Sequence, residues 1–247
     1  LALSAGIASR LGSRPVQVAV VALTLMLALL SVERARLWGD AESLHKHFLR
    51  LHPDSVRASV SLVEWYVGKG AYAQALELLG SNDRPDYALA RIRIACLEGR
   101  PIKPKDLSQL TGLESARRLS YYQLDSLSAL TQESLGKRCS ELMRPLTASL
   151  ETLKYTPMGG TKRYRLFIDL ARLHRRQGDA FRAMKRIEKA ADFRPADPFV
   201  HYLIAEFALD EGAVERARQA QNDARVRGGE DAYPAVDRSL AQALEQH

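Results

Sequence analysis

The feature that most constrains this chain is a recurrence. Ala171, Gly178, Ala183 and Ala190 are each followed, 34 residues later, by a residue of the same type: Ala205, Gly212, Ala217 and Ala224. A period of this length describes a unit of two short helices joined by a tight turn. Such a unit cannot bury its apolar face alone and must stack on its neighbours. The glycines fall where the first helix of each unit has to stop, since a residue without Cβ enters the left-handed turn cheaply. The alanines fall where two helices must approach closely, and larger side chains there would push them apart.

This register is that of the tetratricopeptide repeat. It predicts an all-α solenoid of helical hairpins. One copy runs from about Tyr164 to Asp197, with Phe167, Leu170 and Ile187 at inward positions and Pro195 closing it. The next runs from Pro198 to Gly229, and Pro234–Gln246 reads as an amphipathic helix capping the array. A third copy spans Val56 to Gly80, with Leu62, Tyr66, Gly70, Ala75 and Leu79 in register. Trp38–Leu51 then becomes a lone second helix, a half-repeat. Between Ser81 and Gly160 the period fails. Helices are still expected over Asp83–Leu97, from about Ser115 to Leu135, and over Lys137–Leu153.

A second constraint lies upstream. Residues 15–32, PVQVAVVALTLMLALLSV, contain no charge, while Arg14 precedes them and Glu33, Arg34 and Arg36 follow. As a helix these residues rise about 27 Å, close to the hydrocarbon thickness of a bilayer. A core helix this long and uniformly apolar is uncommon. A signal peptide calls for a small-x-small cleavage site that SVERARLW does not offer. The expectation is a transmembrane helix contacting lipid through residues 15–32. Leu1–Ser9 reads as the tail of a preceding span, and the chain as a piece of a longer protein. The basic loop Arg10–Arg14 points cytoplasmic by the positive-inside rule, which puts the repeats on the extracytoplasmic side. The divisions are then 1–14 (tail and loop), 15–32 (span), 33–80 (half-repeat and first repeat), 81–160 (irregular hairpins), 161–229 (two repeats) and 230–247 (cap).

Composition narrows the function classes. The net charge of +7 is compatible with acidic or anionic partners, but no Arg/Lys block interleaved with aromatics occurs, so no nucleic-acid partner is expected. No P-loop, G-x-G-x-x-G or G-x-S-x-G is present, and no catalytic residue or cofactor is expected. His45, His47 and His52 are close in sequence, but 45 and 47 point apart on a helix, so no metal site is expected. His174 and His201 read as structural. Cys96 and Cys139 are read as two separate, half-buried thiols, with a disulfide chemically open to them outside the cytoplasm.

The run R34-A-R-L-W-G-D-A-E-S-L44 directly after a membrane helix, followed by P53-D-S-V-R-A58 and a repeat, resembles one group of membrane proteins. These are multi-spanning, glycosyltransferase-like proteins of the protein O-mannosyltransferase type with C-terminal tetratricopeptide repeats. The resemblance implies a non-catalytic C-terminal region on the non-cytoplasmic side. The family's catalytic acidic residues belong to an early loop that these residues do not include, so no catalytic role carries over. The alternative is a non-enzymatic, membrane-tethered adaptor in envelope assembly, such as polysaccharide export or pilus biogenesis.

In stacked repeats the first helices line a concave groove that takes a peptide or partner helix. The register puts Arg165, Ile168, Arg172, Arg175 and Arg176 there from one copy, and Phe199, Tyr202, Glu206, Leu209 and Asp210 from the next. Arg172, Arg175 and Arg176 share a helix face. The expected site is a groove for an acidic or phosphate-bearing protein partner, with Phe199 and Tyr202 as apolar anchors. The competing reading is a solvated basic face paired with nearby carboxylates.

Overall fold

The computed structural model describes residues 14–113, 119–229 and 232–245. The expectations placed on Leu1–Ser9 and on Arg10–Ser13 lie outside the described residues. All regular structure among those described is helical. The chain divides into two compact units, with the boundary between Leu78 and Leu79.

In the first unit, α1 (Arg14–Gly39) continues past the apolar run for nearly two further turns. Its window of highest hydropathy has a mean of 2.2 and is 0% buried, so α1 is long and apolar enough to cross a membrane and is no core helix of this structure. Two of its hydroxyl side chains bond back into the helix. Thr24 Oγ1 donates to the Val20 carbonyl and Ser31 Oγ to that of Leu27, each at 2.8 Å, as a helix in lipid requires. Asp40 interrupts the helix and caps α2 (Ala41–Leu51) by accepting from the Glu42 and Ser43 amides. Helices α3 (Val56–Gly68), capped by Ser55, and α4 (Tyr72–Leu79) follow, and Leu62, Val63 and Ala75 on them are buried.

The second unit holds α5 (Pro85–Glu98), α6 (Pro104–Gly112), α7 (Tyr121–Leu135), a 3-10 segment (Lys137–Leu142), α8 (Met143–Leu153), α9 (Gly160–Arg176), α10 (Ala180–Phe193), α11 (Pro198–Asp210), α12 (Val214–Gly228) and α13 (Pro234–Glu245). The two strongest sequence copies are the hairpins α9/α10 and α11/α12. Gly178 and Gly212 sit between their helices at φ 81° and 71°, where an L side chain is strained. Asp179 caps α10 and Asp197 caps α11. The six recurring alanines, Ala171, Ala183, Ala190, Ala205, Ala217 and Ala224, are all at 0–1% exposure. Adding methylenes at any of them should cost about 1–3 kcal/mol through overpacking.

The middle stretch differs from expectation in an instructive way. The start of the helix expected from about Ser115 lies outside the described residues; α7 itself begins at Tyr121, where Ser120 forms a capping box with Gln123. The helix expected over Lys137–Leu153 is broken. Lys137–Leu142 is a 3-10 segment with Cys139 at non-helical angles (φ −140°, ψ 35°), and the α-helix resumes at Met143. So α7 and α8 form a hairpin whose turn is lengthened by that segment, which is why the 34-residue register is lost there.

The reading of the two cysteines as separate thiols is corrected. Cys96, near the end of α5, and Cys139, in the 3-10 segment, form a disulfide with their Cα atoms 5.4 Å apart, and both are buried. A bond between residues 43 positions apart depends on tertiary approach, which neither residue's neighbours in the sequence encode.

Candidate partner groove

The groove arises from the alignment of α7, α9 and α11 in the second unit. Two depressions of about 500 Å³ and 520 Å³ lie along it. They share Gln132 of α7 and Arg172 of α9, so they form one continuous track. Arg165, Ile168, Arg172 and Phe199 line the first depression or its edge, and Arg172, Arg175 and Arg176 line the second. The structure thus gathers five of the six candidate residues.

Tyr202 departs from the expectation. It is only 1% exposed and packs with Ala205, Ala220, Ala224 and Leu240. Its ring is covered by α12 and α13, so it cannot anchor a ligand. The aromatic wall is instead built by Phe199 and Tyr233, whose rings are 5.6 Å apart. Tyr202 supports that wall from behind, 5.8 Å from Tyr233.

The four arginines are not equivalent. Arg165 is paired with Asp125 of α7. Arg175 donates from Nη1 to Glu206 at 2.7 Å and from Nε to Asp210, and lies over the Phe207 ring at 4.8 Å. These two guanidiniums tie neighbouring first helices together and are occupied in doing so. Arg172 makes no ion pair among the described residues and lies 5.7 Å above the centroid of Phe199. Arg176, at the exposed end of α9, is likewise unpaired among them. The groove is therefore mixed in sign, with two uncommitted cations.

Its floor holds a residue that the repeat pattern does not suggest. Asp169 is 4% exposed and accepts a hydrogen bond from the Ser128 hydroxyl. Burial raises its pKa from the usual 3.8 to about 6, against the Ser128 bond and the Arg172 and Arg165 charges, which lower it. The equivalent position one repeat later is Leu203, so the sequence did signal an anomaly: a carboxylate where the period demands an apolar residue. Asp197, in contrast, is fully engaged. It accepts from the Tyr164 hydroxyl at 2.9 Å and from the Phe199 amide at 3.0 Å.

Residues contributed by α7 (Asp125, Ser128 and Gln132) escaped the sequence reading, because their partners Arg165 and Asp169 lie 40 and 41 positions on rather than 34. The two structural histidines are buried. His174 Nε2 meets Glu151 at 2.8 Å, and His201 Nε2 donates to the Pro195 carbonyl at 2.9 Å. No cluster of three or more His, Cys, Asp or Glu suited to a metal occurs among the described residues. No protein-family model matches this chain, and no curated protein matches it either.

Proposed function

We propose that this chain is a membrane-tethered scaffold of the tetratricopeptide type whose groove takes an extended segment of a protein partner on the extracytoplasmic side. The observation that carries the reading is the continuous track on α7, α9 and α11 with Arg172 unpaired above Phe199. An uncommitted guanidinium beside an apolar ring suits one acidic side chain flanked by an aliphatic or aromatic one. It does not suit a long acidic run, because Asp125, Asp169, Glu206 and Asp210 would repel the remaining charges.

The 34-residue recurrence and the left-handed glycines between paired helices support the repeat type. The length and exposure of α1 support the tether. The buried Cys96–Cys139 disulfide supports an oxidising compartment, hence the extracytoplasmic side. The resemblance around Arg34–Leu44 and Pro53–Ala58 supports a place in a glycosyltransferase-like membrane protein, with these repeats orienting an acceptor or accessory protein.

The test is selection of displayed peptides on the intact chain. Enriched peptides should carry a single Asp or Glu beside an apolar residue, compete with one another, and bind Arg172→Ala about 10–100-fold more weakly, the range for a charged hydrogen bond. Enriched peptides that bind Arg172→Ala as well as the parent chain would sink the reading.

A further inference from the structure

We propose that the cleft between α1 and α2 holds the phosphate of an anionic phospholipid at the surface of the bilayer. This rests on the reading of α1 as a membrane span. Only Asp40 separates the two helices, and a cleft of about 720 Å³ opens between them. Leu30 on α1 and Arg50 on α2 both line it, although each lies roughly 15 Å along its helix from the turn at Asp40. So α2 turns back along α1, and Arg50 comes level with the end of the apolar run.

The charges in the cleft are unbalanced. Arg34, Arg36, Arg50 and His47 line it, with Glu33 and Asp40 as the acids. The Asp40 carboxylate is occupied by the α2 amides and the Ser43 hydroxyl. None of the three arginines makes an ion pair among the described residues. A planar guanidinium fork matches the oxygens of a phosphate.

A second observation points to the same surface. No residue of α2 is buried. Trp38, Phe48 and Leu51 are 66%, 41% and 58% exposed, interleaved with the basic residues. Exposed aromatic and aliphatic side chains beside Arg, directly after a span, compose a segment that lies in the headgroup layer. The occupant is lipid because the cleft is continuous with the lipid-facing side chains of α1 and carries the sign that anionic headgroups complement.

The experiment uses the full chain in nanodiscs of phosphatidylcholine with and without phosphatidylglycerol, followed by detergent extraction and quantification of retained lipid. Phosphatidylglycerol should be retained in preference. The preference should fall about 100-fold in Arg34→Gln/Arg36→Gln/Arg50→Gln, as three interfacial cations imply, while helicity is unchanged. A spin label at Leu51→Cys should report headgroup depth. Equal retention of both lipids, an undiminished preference in the triple variant, or displacement of the lipid by inorganic phosphate alone would each overturn the proposal. So would a water-exposed Leu51 label, or one shielded only in a dimer, which would assign α2 to a second copy. Flotation separates the two levels. A chain that inserts without lipid preference overturns only this proposal, and a chain that fails to insert overturns the span as well.

Discussion

The guanidinium of Arg172 lies over the ring of Phe199, 5.7 Å from its centroid, and makes no ion pair among the described residues. Its neighbours Arg165 and Arg175 are bound to Asp125 and to Glu206 with Asp210. This division makes a prediction that treats the arginines separately. Arg172→Ala/Arg176→Ala should lose partner binding with a melting temperature close to the parent's. Arg175→Ala should instead lower stability by about 0.5–2 kcal/mol, because a half-exposed guanidinium bridging two carboxylates is only partly screened. Thermal melts beside binding isotherms decide this.

Asp169 should make the repeat unit less stable as pH rises. Its folded pKa is raised to about 6 from 3.8. Its protonated form is therefore favoured by folding, and that contribution is full below pH 3.8 and lost as pH rises through about 6. Asp169→Asn keeps an acceptor for Ser128 and removes the buried charge. It should be more stable than the parent by about 1–3 kcal/mol at pH 7.5 and nearly equal to it at pH 4. Denaturant titrations at the two pH values measure the difference.

Glu151 should show the opposite dependence. Burial alone would raise its pKa. Hydrogen bonds from Lys154 and His174 and the Arg186 guanidinium, at 2.8 and 2.9 Å, outweigh burial and hold it at about 2. The stability from this network is present above pH 4.5 and lost as pH falls from there towards 2. Glu151→Gln should cost about 1–3 kcal/mol at pH 7, because the amide keeps one acceptor oxygen but loses the second and the charge that Arg186 and Lys154 meet, and the gap should close in acid.

The Cys96–Cys139 bond closes a loop across 43 positions. Reduction, or the Cys96→Ser/Cys139→Ser pair, should lower stability by about 2–4 kcal/mol. Thiol labelling of the unfolded chain taken directly from membranes should find no free cysteine. Labelling of both thiols there would contradict the oxidising compartment.

The hairpins legible from sequence were those whose packing repeats. A small residue every half-unit and a glycine at each turn leave a 34-residue signature, and the buried alanines from Ala171 to Ala224 follow it. The α7/α8 hairpin was not legible as a repeat, because the 3-10 segment at Cys139 shifts its partners to offsets of 40 and 41. The groove face was legible as a face, but its charge was not. That Arg165 is engaged depends on Asp125, which lies across the groove on α7. Tyr202 was misread for a related reason: its register position faces inward in a mid-array repeat, but here α12 and α13 close over it.

Photo-crosslinking in native membranes asks whether the groove at Arg172 and Phe199 holds a protein partner. A photoreactive phenylalanine analogue is placed at Phe199 in the groove or at Phe181, a 76% exposed position on α10 that lines neither depression. One discrete protein adduct should form from position 199, strongly reduced by Arg172→Ala and absent from position 181. The same adduct from both positions, or an adduct at 199 that is indifferent to Arg172, would contradict a partner held in the groove.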